Sequence, residues 1–407
     1  LPTPTRTDRV WISAVSEFPG FADEGFGPVA DAFVDNFRRG TEMGAACAVY
    51  HDGRLVVDLH GGTADAVTGR PWTSDTLTIG FSISKGLMAL CGYLAQQRGL
   101  LDFDAPVATM WPEFAANGKQ DIVIRDVFAH RAGLMALDVD LNLADVLAWD
   151  PVIRAIEAQR PLWVPGTAFA YHALTFGWLT GEILRRATGK MPGALLADYL
   201  TRDLGADAWI GLPADAEHRV ARMHAPRSRL LRVGYRAMPK ILRRIGKAPA
   251  VRTVTLGSAF PFSLIDGCDG DFNTPAVHAA QIPAANAILD ARALATIYGA
   301  AVSPVTGAPL LTAASIADAV TVRSAGDGWP SALNPPGIRF STGFLVNGIP
   351  FRPLLSDSSF GHDGASGSLG FADADSGTGF GYVNNLIAPR DHRANNLTAA
   401  LRRCLDR

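Results

Sequence analysis

Ser82 and Lys85 stand three residues apart in the run Gly80-Phe81-Ser82-Ile83-Ser84-Lys85-Gly86-Leu87-Met88-Ala89-Leu90. On a helix, residues i and i+3 share a face, so this spacing sets an amine beside a hydroxyl. A serine hydroxyl is a poor nucleophile until a neighbouring base takes its proton. The apolar stretch from Leu87 to Leu94 predicts that the helix is buried. Burial lowers a lysine pKa, which makes Lys85 a usable base. The pair points to acyl transfer through a covalent serine intermediate, with Ser82 as nucleophile.

Two further groups follow downstream. Trp163-Val164-Pro165-Gly166 makes a turn before Tyr171-His172-Ala173. A phenol hydrogen-bonded near a lysine is favoured as phenolate. Tyr171 would then serve as base to Ser82 and as acid to the leaving group; a tyrosine buried with its hydroxyl satisfied is the plainer account. The second group is Phe360-Gly361-His362-Asp363-Gly364-Ala365-Ser366-Gly367-Ser368-Leu369-Gly370. Such glycine density lets a substrate approach strand backbone. Acyl transfer needs two donors aimed at the developing oxyanion, and the backbone N–H groups of Ser82 and Ala365 are the candidates. His362 would line the pocket and donate a hydrogen bond to substrate.

Other chemistries lack their residues. There is no GxSxG, which argues against an α/β-hydrolase nucleophile elbow. GxGxxG, P-loop and HExxH patterns are absent as well. Asp266, Asp269 and Asp271 surround Gly267 and Gly270, but the remaining ligands of a calcium loop are missing. No metal and no cofactor are expected.

The 407 residues suit one large domain or two intimate ones. An apolar fraction of 48% with 19% charged residues supplies a core and excludes a disordered chain. A net charge of −2 gives no global pull toward nucleic acid. Cys47, Cys91, Cys268 and Cys404 are far apart without metal-type spacing and are expected as buried free thiols. No 18-residue apolar run occurs. The opening Leu1-Pro2-Thr3-Pro4-Thr5-Arg6 has no apolar signal core, which predicts a cytoplasmic protein, a removed leader being the alternative.

The elements that must position these groups can be sketched. A β-hairpin is predicted from about 44 to 61 around His51-Asp52-Gly53. A helix opens at Ser82 and stops near Gly99. From 101 to about 280 the signals are mostly helical, with a helix from Leu174 to Ala187. Another helix is expected from about 290 to 302. Strands return at Ile338 to Val346, Ser368 to Ala372 and Thr378 to Asn384, and a helix from about 395 to 405 closes the chain. The expected fold class is α+β, with an antiparallel sheet built from the N- and C-terminal strands. Residues 1–80 and 281–407 would form a discontinuous sheet domain, and 81–280 a mostly helical one. Ser82 falls where they meet, a natural cleft.

One segment departs in charge. Eleven basic residues and no acid lie between His218 and Ile265, the basic ones from Arg219 to Arg252. The remainder carries 26 basic against 39 acidic residues, about −13. Leu231, Tyr235, Met238, Leu242 and Ile245 recur at helical spacing, with a kink expected at Pro239. Basic amphipathic helices lie on membranes or hold anionic ligands. A solvated face that balances an acidic body is the simpler reading, and membrane-surface contact by 219–252 the less favoured one.

Together these residues resemble the serine β-lactamase and penicillin-binding-protein superfamily, with its SxxK motif at Ser82 and Lys85. The likeness is closest to the class C β-lactamase-like branch, including family VIII carboxylesterases, and runs from the Gly44 hairpin to Asn385. Tyr171 matches the tyrosine of the Tyr-x-Asn box. His362-Asp363-Gly364 takes the place of Lys-Thr-Gly and keeps its glycine. His130-Arg131-Ala132-Gly133-Leu134 resembles the family's His-Thr-Ser-Gly-Leu turn. Two departures matter. Ala173 stands where the lactamases have asparagine, and His362 where they have lysine. The resemblance implies that those residues would hold a β-lactam's acylamido group and carboxylate, so His362, Gly364 and Ala173 become candidate substrate-binding positions. The losses point to the esterase branch: a serine hydrolase acting on small or medium carboxylic esters. A β-lactamase, D-amino peptidase, amide hydrolase or acyltransferase would use the same residues, and a non-catalytic acyl-binding sensor is the reading from another class.

Overall fold

The two ends of the chain meet in one sheet. The computed structural model describes residues 9–10, 18–226, 228–330, 332–388 and 391–406. Strands β1 (Arg9–Val10), β2 (Gly20–Asp23), β3 (Gly44–His51), β4 (Arg54–Asp65) and β5 (Arg70–Pro71) come early in the chain. Three short strands follow: β6 (Thr78–Ile79), β7 (Ala208–Trp209) and β8 (Ile288–Leu289). The last four are β9 (Leu345–Val346), β10 (Ser359–Asp363), β11 (Leu369–Asp373) and β12 (Thr378–Asn384). The large sheet runs β1-β2-β4-β3-β12-β11-β10-β9 with β5 on β4, and a small one runs β6-β8-β7. Every pairing between these strands is antiparallel. The α+β expectation is met, and the β3–β12 pairing, with Val49 opposite Phe380, joins the termini.

The helices that frame the sheet and the site are α1 (Gly27–Arg38), α2 (Ile83–Gln97), α3 (Thr175–Thr188), α4 (Arg229–Arg244), α5 (Ala248–Thr255), α6 (Ala291–Val302) and α7 (Arg393–Leu405). Successive strand residues point to opposite faces. Along β12, Phe380 and Tyr382 pack with Val29 and Phe33 of α1 and Leu397 and Leu401 of α7. The residues that alternate with them, Gly379 and Gly381, face α6. A Cβ at Gly379 would lie 2.1 Å from the Gly299 nitrogen, and one at Gly381 2.3 Å from the Ala291 carbonyl oxygen. Glycine at alternate positions therefore lets α6 sit directly on the sheet. On that side α2 is buried from Ile83 to Ala95. At about 1.5–3 kcal/mol for each large aliphatic side chain taken out of water, Leu87, Met88, Leu90 and Leu94 pin α2 firmly.

The predicted hairpin is present and longer, extending to Asp65; its two-residue turn has positive φ at Asp52 (46°) and Gly53 (74°). Two expectations need correction. Of Ile338 to Val346, only Leu345–Val346 pairs with β10. The rest folds on itself, Ser341 N–H donating to the Phe344 carbonyl, while Phe340 bonds with Ser324. Its apolar residues are buried against Phe169 and Tyr171 instead of in a ladder, because alternation reports burial and not pairing. Of the four thiols expected buried, Cys47 and Cys91 are, but Cys268 is exposed and Cys404 half-buried. The region from 101 to 280 carries helices separated by turn-rich stretches, and α4 continues through Pro239. Among the described residues no helix is long and apolar enough to cross a membrane.

Candidate active site

Three side chains converge where α2 begins. Lys85 Nζ lies 3.2 Å from Ser82 Oγ, and the Tyr171 hydroxyl 2.6 Å from the same oxygen. Lys85 Nζ also donates to the Ala173 carbonyl at 2.7 Å and the Ala284 carbonyl at 2.9 Å. Carbonyl oxygens only accept, so those two contacts use two N–H groups. A neutral amine has two and one lone pair, which is left facing the serine hydroxyl. Burial holds the Lys85 pKa well below the usual lysine range, against the raising effect of Asp363. Lys119 is the contrast. It too is buried, but its Nζ donates to three carbonyls, of Ala116, Glu157 and Gln159. Three N–H donors to three carbonyls describe an ammonium with nothing left for chemistry.

Burial pushes the Tyr171 phenol upward, and this outweighs the lowering effect of its hydrogen bond to Ser82 Oγ. The expected phenolate is therefore not the resting form; a neutral lysine offers it no cation. Ser84, the other serine of the motif, faces away: its Oγ bonds the Phe81 carbonyl at 2.5 Å and accepts from Ala287 N–H at 2.9 Å.

The chain before α3 fixes Tyr171. The His130 turn reaches it through two imidazoles: His172 N–H donates to His130 Nδ1 at 3.1 Å, and Leu134 N–H donates to His172 Nε2 at 3.0 Å. Burial keeps both rings neutral, His172 near pKa 4. The Tyr171 ring stacks on Phe340 at 5.8 Å. Asn334 Oδ1 accepts from Tyr171 N–H at 3.0 Å. Thr253 of α5 accepts from Ala173 N–H at 3.1 Å and donates to the Tyr171 carbonyl at 3.4 Å.

A cleft of about 200 Å³ opens in front of Ser82 and Tyr171, walled by Pro335, Ile338, Leu345, Phe351 and the segment His362 to Ala365. Gly364 allows the closeness of that segment: a Cβ there would meet the Gly80 carbonyl at 2.3 Å. Sequence reasoning placed Ser82, Lys85, Tyr171, His362, Gly364 and Ala365 near one another, and they are. Ala173 contributes differently. Its backbone holds Lys85 and Thr253, and its side chain is not among the groups lining the cleft. His362 also departs from expectation. Its Nδ1 lies 2.8 Å from the Asp363 carbonyl, which only an N–H can satisfy. Burial takes its pKa down to about 4. Nε2 then carries a lone pair and accepts, where a donor was expected; it is buried without a protein partner among the described residues. The sequence reading missed Ala284, Thr253, Asn334 and the apolar walls. Nothing in the stretch Gln281 to Asn286 marks it as part of the site, since a backbone carbonyl leaves no residue-type signal.

The Asp266–Asp271 loop carries no metal cluster among the described residues. Asp271 accepts from the N–H groups of Asp266, Gly267 and Asn273 and so folds its own loop.

The family described as Beta-lactamase matches residues 30–403. The chain belongs to the β-lactamase family. It is accordingly a serine hydrolase. Esterase/beta-lactamase LipL of Mycobacterium tuberculosis is 35% identical over 385 residues, covering 91% of this chain and 83% of that protein. The crystal structure of a family VIII carboxylesterase superposes with a TM-score of 0.83 at 34% identity, covering 95% of this chain and 100% of that one. A penicillin-binding-protein homologue from Caulobacter crescentus gives 0.82 at 31% identity, covering 96% and 100%. This β-lactamase-family chain thus resembles relatives of both esterase and penicillin-binding type.

Proposed function

We propose that this chain is a carboxylesterase that hydrolyses small to medium neutral esters through an acyl-enzyme on Ser82. The observation that carries the reading is the Lys85 amine, tied to two carbonyls with Ser82 Oγ as its third neighbour at 3.2 Å. Lys85 takes the proton as Ser82 Oγ bonds the ester carbonyl carbon. The backbone N–H groups of Ser82 and Ala365 hold the oxyanion. The C–O bond to the alcohol breaks, and the Lys85 proton reaches the leaving oxygen through the Tyr171 hydroxyl. Water then attacks the acyl-enzyme by the same relay and frees the acid. Of the two candidate bases, the opposed pKa directions favour Lys85.

Neutral esters are favoured over β-lactams by what lines the cleft. Among the described residues no Lys or Arg does so, and His362 is neutral well below pH 7. Arg352 is nearby but is committed to Asp363 at 3.2 Å. A carboxylate would find no anchor there. The cleft's volume is below the roughly 300–1,000 Å³ of sites that enclose drug-sized ligands. On the same reading the chain divides near residues 80 and 281, with Ser82 and Lys85 opening one unit and Ala284 opening the return to the other.

Purified protein should hydrolyse p-nitrophenyl acetate and butyrate with kcat/KM at least about 100-fold above that for a chromogenic cephalosporin or a D-Ala-D-Ala peptide. A fluorophosphonate should add one mass increment to the peptide that holds Ser82. Equal turnover of cephalosporin and ester would reject the substrate class, and a label on Ser84 or Ser366 would reject the nucleophile.

A further inference from the structure

Helix α4 keeps the middle of its apolar face in water. Leu230, Met238, Ile241 and Ile245, at helical spacing i, i+8, i+11 and i+15, are 85%, 39%, 50% and 61% exposed. Leu242, at one edge of that face, is buried, and Tyr235 is half-buried. The helix therefore leans on the body by one edge, mainly against α5. The exposed side chains of Arg236, Lys240 and Arg243 point away from the stripe, and Arg244, three residues from Ile241, flanks it. A helix that merely solvated an acidic body would turn this apolar stripe inward; here the stripe is outward.

We infer that α4 is a docking surface for an anionic lipid bilayer, from which the enzyme takes lipid esters. Charge complementarity carries the choice of occupant. The segment from Arg219 to Arg252 holds eleven basic residues and no acid, while the remainder of the chain is about −13. An anionic surface attracts the segment and repels the rest, which sets the enzyme down on α4. The apolar stripe then enters the acyl boundary while the long cationic side chains reach back to phosphate. A second copy of the chain fits poorly, because two stripes in contact would bring the flanking Arg244 of both copies together with no acid on either helix to offset it.

The position of α4 links this surface to the chemistry. Its Tyr235 and Arg236 line a cavity of about 190 Å³ whose other walls include Phe262, Leu264 and Ile387. Ala365 lines both this cavity and the cleft in front of Ser82. A lipid drawn up beside α4 has an apolar space adjoining the reacting serine. This use of the site rests on the esterase reading above; the docking itself does not.

The test is flotation of the full chain with vesicles of phosphatidylcholine alone and of phosphatidylcholine with one third phosphatidylglycerol. The expected result is binding to the mixed vesicles only, weakened at least about tenfold in 1 M salt, where the Debye length is near 3 Å. Leu230→Glu/Ile241→Glu and, separately, Arg243→Glu/Arg244→Glu should each lose binding at least about tenfold and keep wild-type hydrolysis of p-nitrophenyl acetate. These side chains are exposed, so both variants should fold. Wild-type protein that stays unbound, or variants that float like wild type, would overturn the inference. So would sedimentation showing a dimer that the Leu230→Glu/Ile241→Glu change dissolves while vesicle binding is nil. Flotation is read without turnover. Protein that binds vesicles but cleaves no ester overturns the esterase reading alone, and protein that cleaves esters but never binds overturns this inference alone.

Discussion

Replacing Lys85 by Met tests the proposed base at nearly constant volume. The change removes the one donor that, among the described residues, serves both the part-buried Ala173 carbonyl at 2.7 Å and the buried Ala284 carbonyl at 2.9 Å. An orphaned buried acceptor costs about 1–3 kcal/mol, so the pair amounts to about 2–6 kcal/mol. Part of this is offset because an amine no longer has to be buried. The lost proton transfer costs about 10²–10⁴ in rate. The pH dependence separates the two effects. Burial depresses the folded-state pKa of Lys85 below its unfolded value. Between the two values the unfolded chain binds the extra proton, so wild-type stability rises with pH up to the ordinary lysine pKa. Activity rises on the same side, as the amine becomes free to accept the serine proton. Lys85→Met should remove the basic-limb rise in kcat/KM and flatten the alkaline rise in stability. Stopped-flow ester hydrolysis and denaturant melts over a pH series measure both. Since Lys85 and Tyr171 act on one oxygen, adding Tyr171→Phe should cost little more than either change alone. A Lys85→Met enzyme within a factor of about ten of wild type, or one that keeps the pH limb, would refute the assignment.

Thr253→Val removes the hydroxyl that bonds Ala173 N–H and the Tyr171 carbonyl. It should lower kcat about ten- to a hundredfold with KM little changed, and Thr253→Ser should restore it; a KM effect instead would make Thr253 a substrate contact. Gly364→Ala places a Cβ 2.3 Å from the Gly80 carbonyl and 3.0 Å from Ser368 Oγ. Overpacking of this kind costs about 1–3 kcal/mol, and kcat should fall with Tm; an unshifted Tm would show that the approach is looser than drawn. Arg393 is buried, reaches Glu42 at 3.0 Å, and donates to the Ser366 carbonyl at 2.7 Å in the turn that carries Ala365. Arg393→Ala should cost about 3–5 kcal/mol in urea unfolding, because buried carboxylates lose their cation; a loss under about 1 kcal/mol would contradict that.

What could be read in advance was what repeats locally. The Ser82–Lys85 spacing was legible because an i, i+3 pair meets on any helix, whatever surrounds it. The hairpin at Asp52-Gly53 and the helix stop near Gly99 follow from backbone sterics within a few residues. Tyr171, His362 and Ala365 were named from the chemistry that acyl transfer needs, but it took the family resemblance to tie them to Ser82, since nothing local does. Tertiary structure decided the rest. Lys85 was a base candidate from spacing alone, but its lone pair is aimed at Ser82 only because the carbonyls of Ala173 and Ala284, 88 and 199 residues away, accept two of its N–H groups. Its twin Lys119 met three carbonyls and is silent. Tyr171 was expected as phenolate because proximity to lysine is visible in motif order, whereas depth of burial is not. The run from Ile338 to Val346 alternates like a strand but found its burial against Phe169 and Tyr171 instead of in a ladder. The periodicity of α4 announces an amphipathic helix, yet only the packed body shows which face is left in water. Periodicity names the faces of an element; which of them is covered depends on partners distant in sequence, and pairwise contacts of that kind leave no imprint on any single stretch of chain.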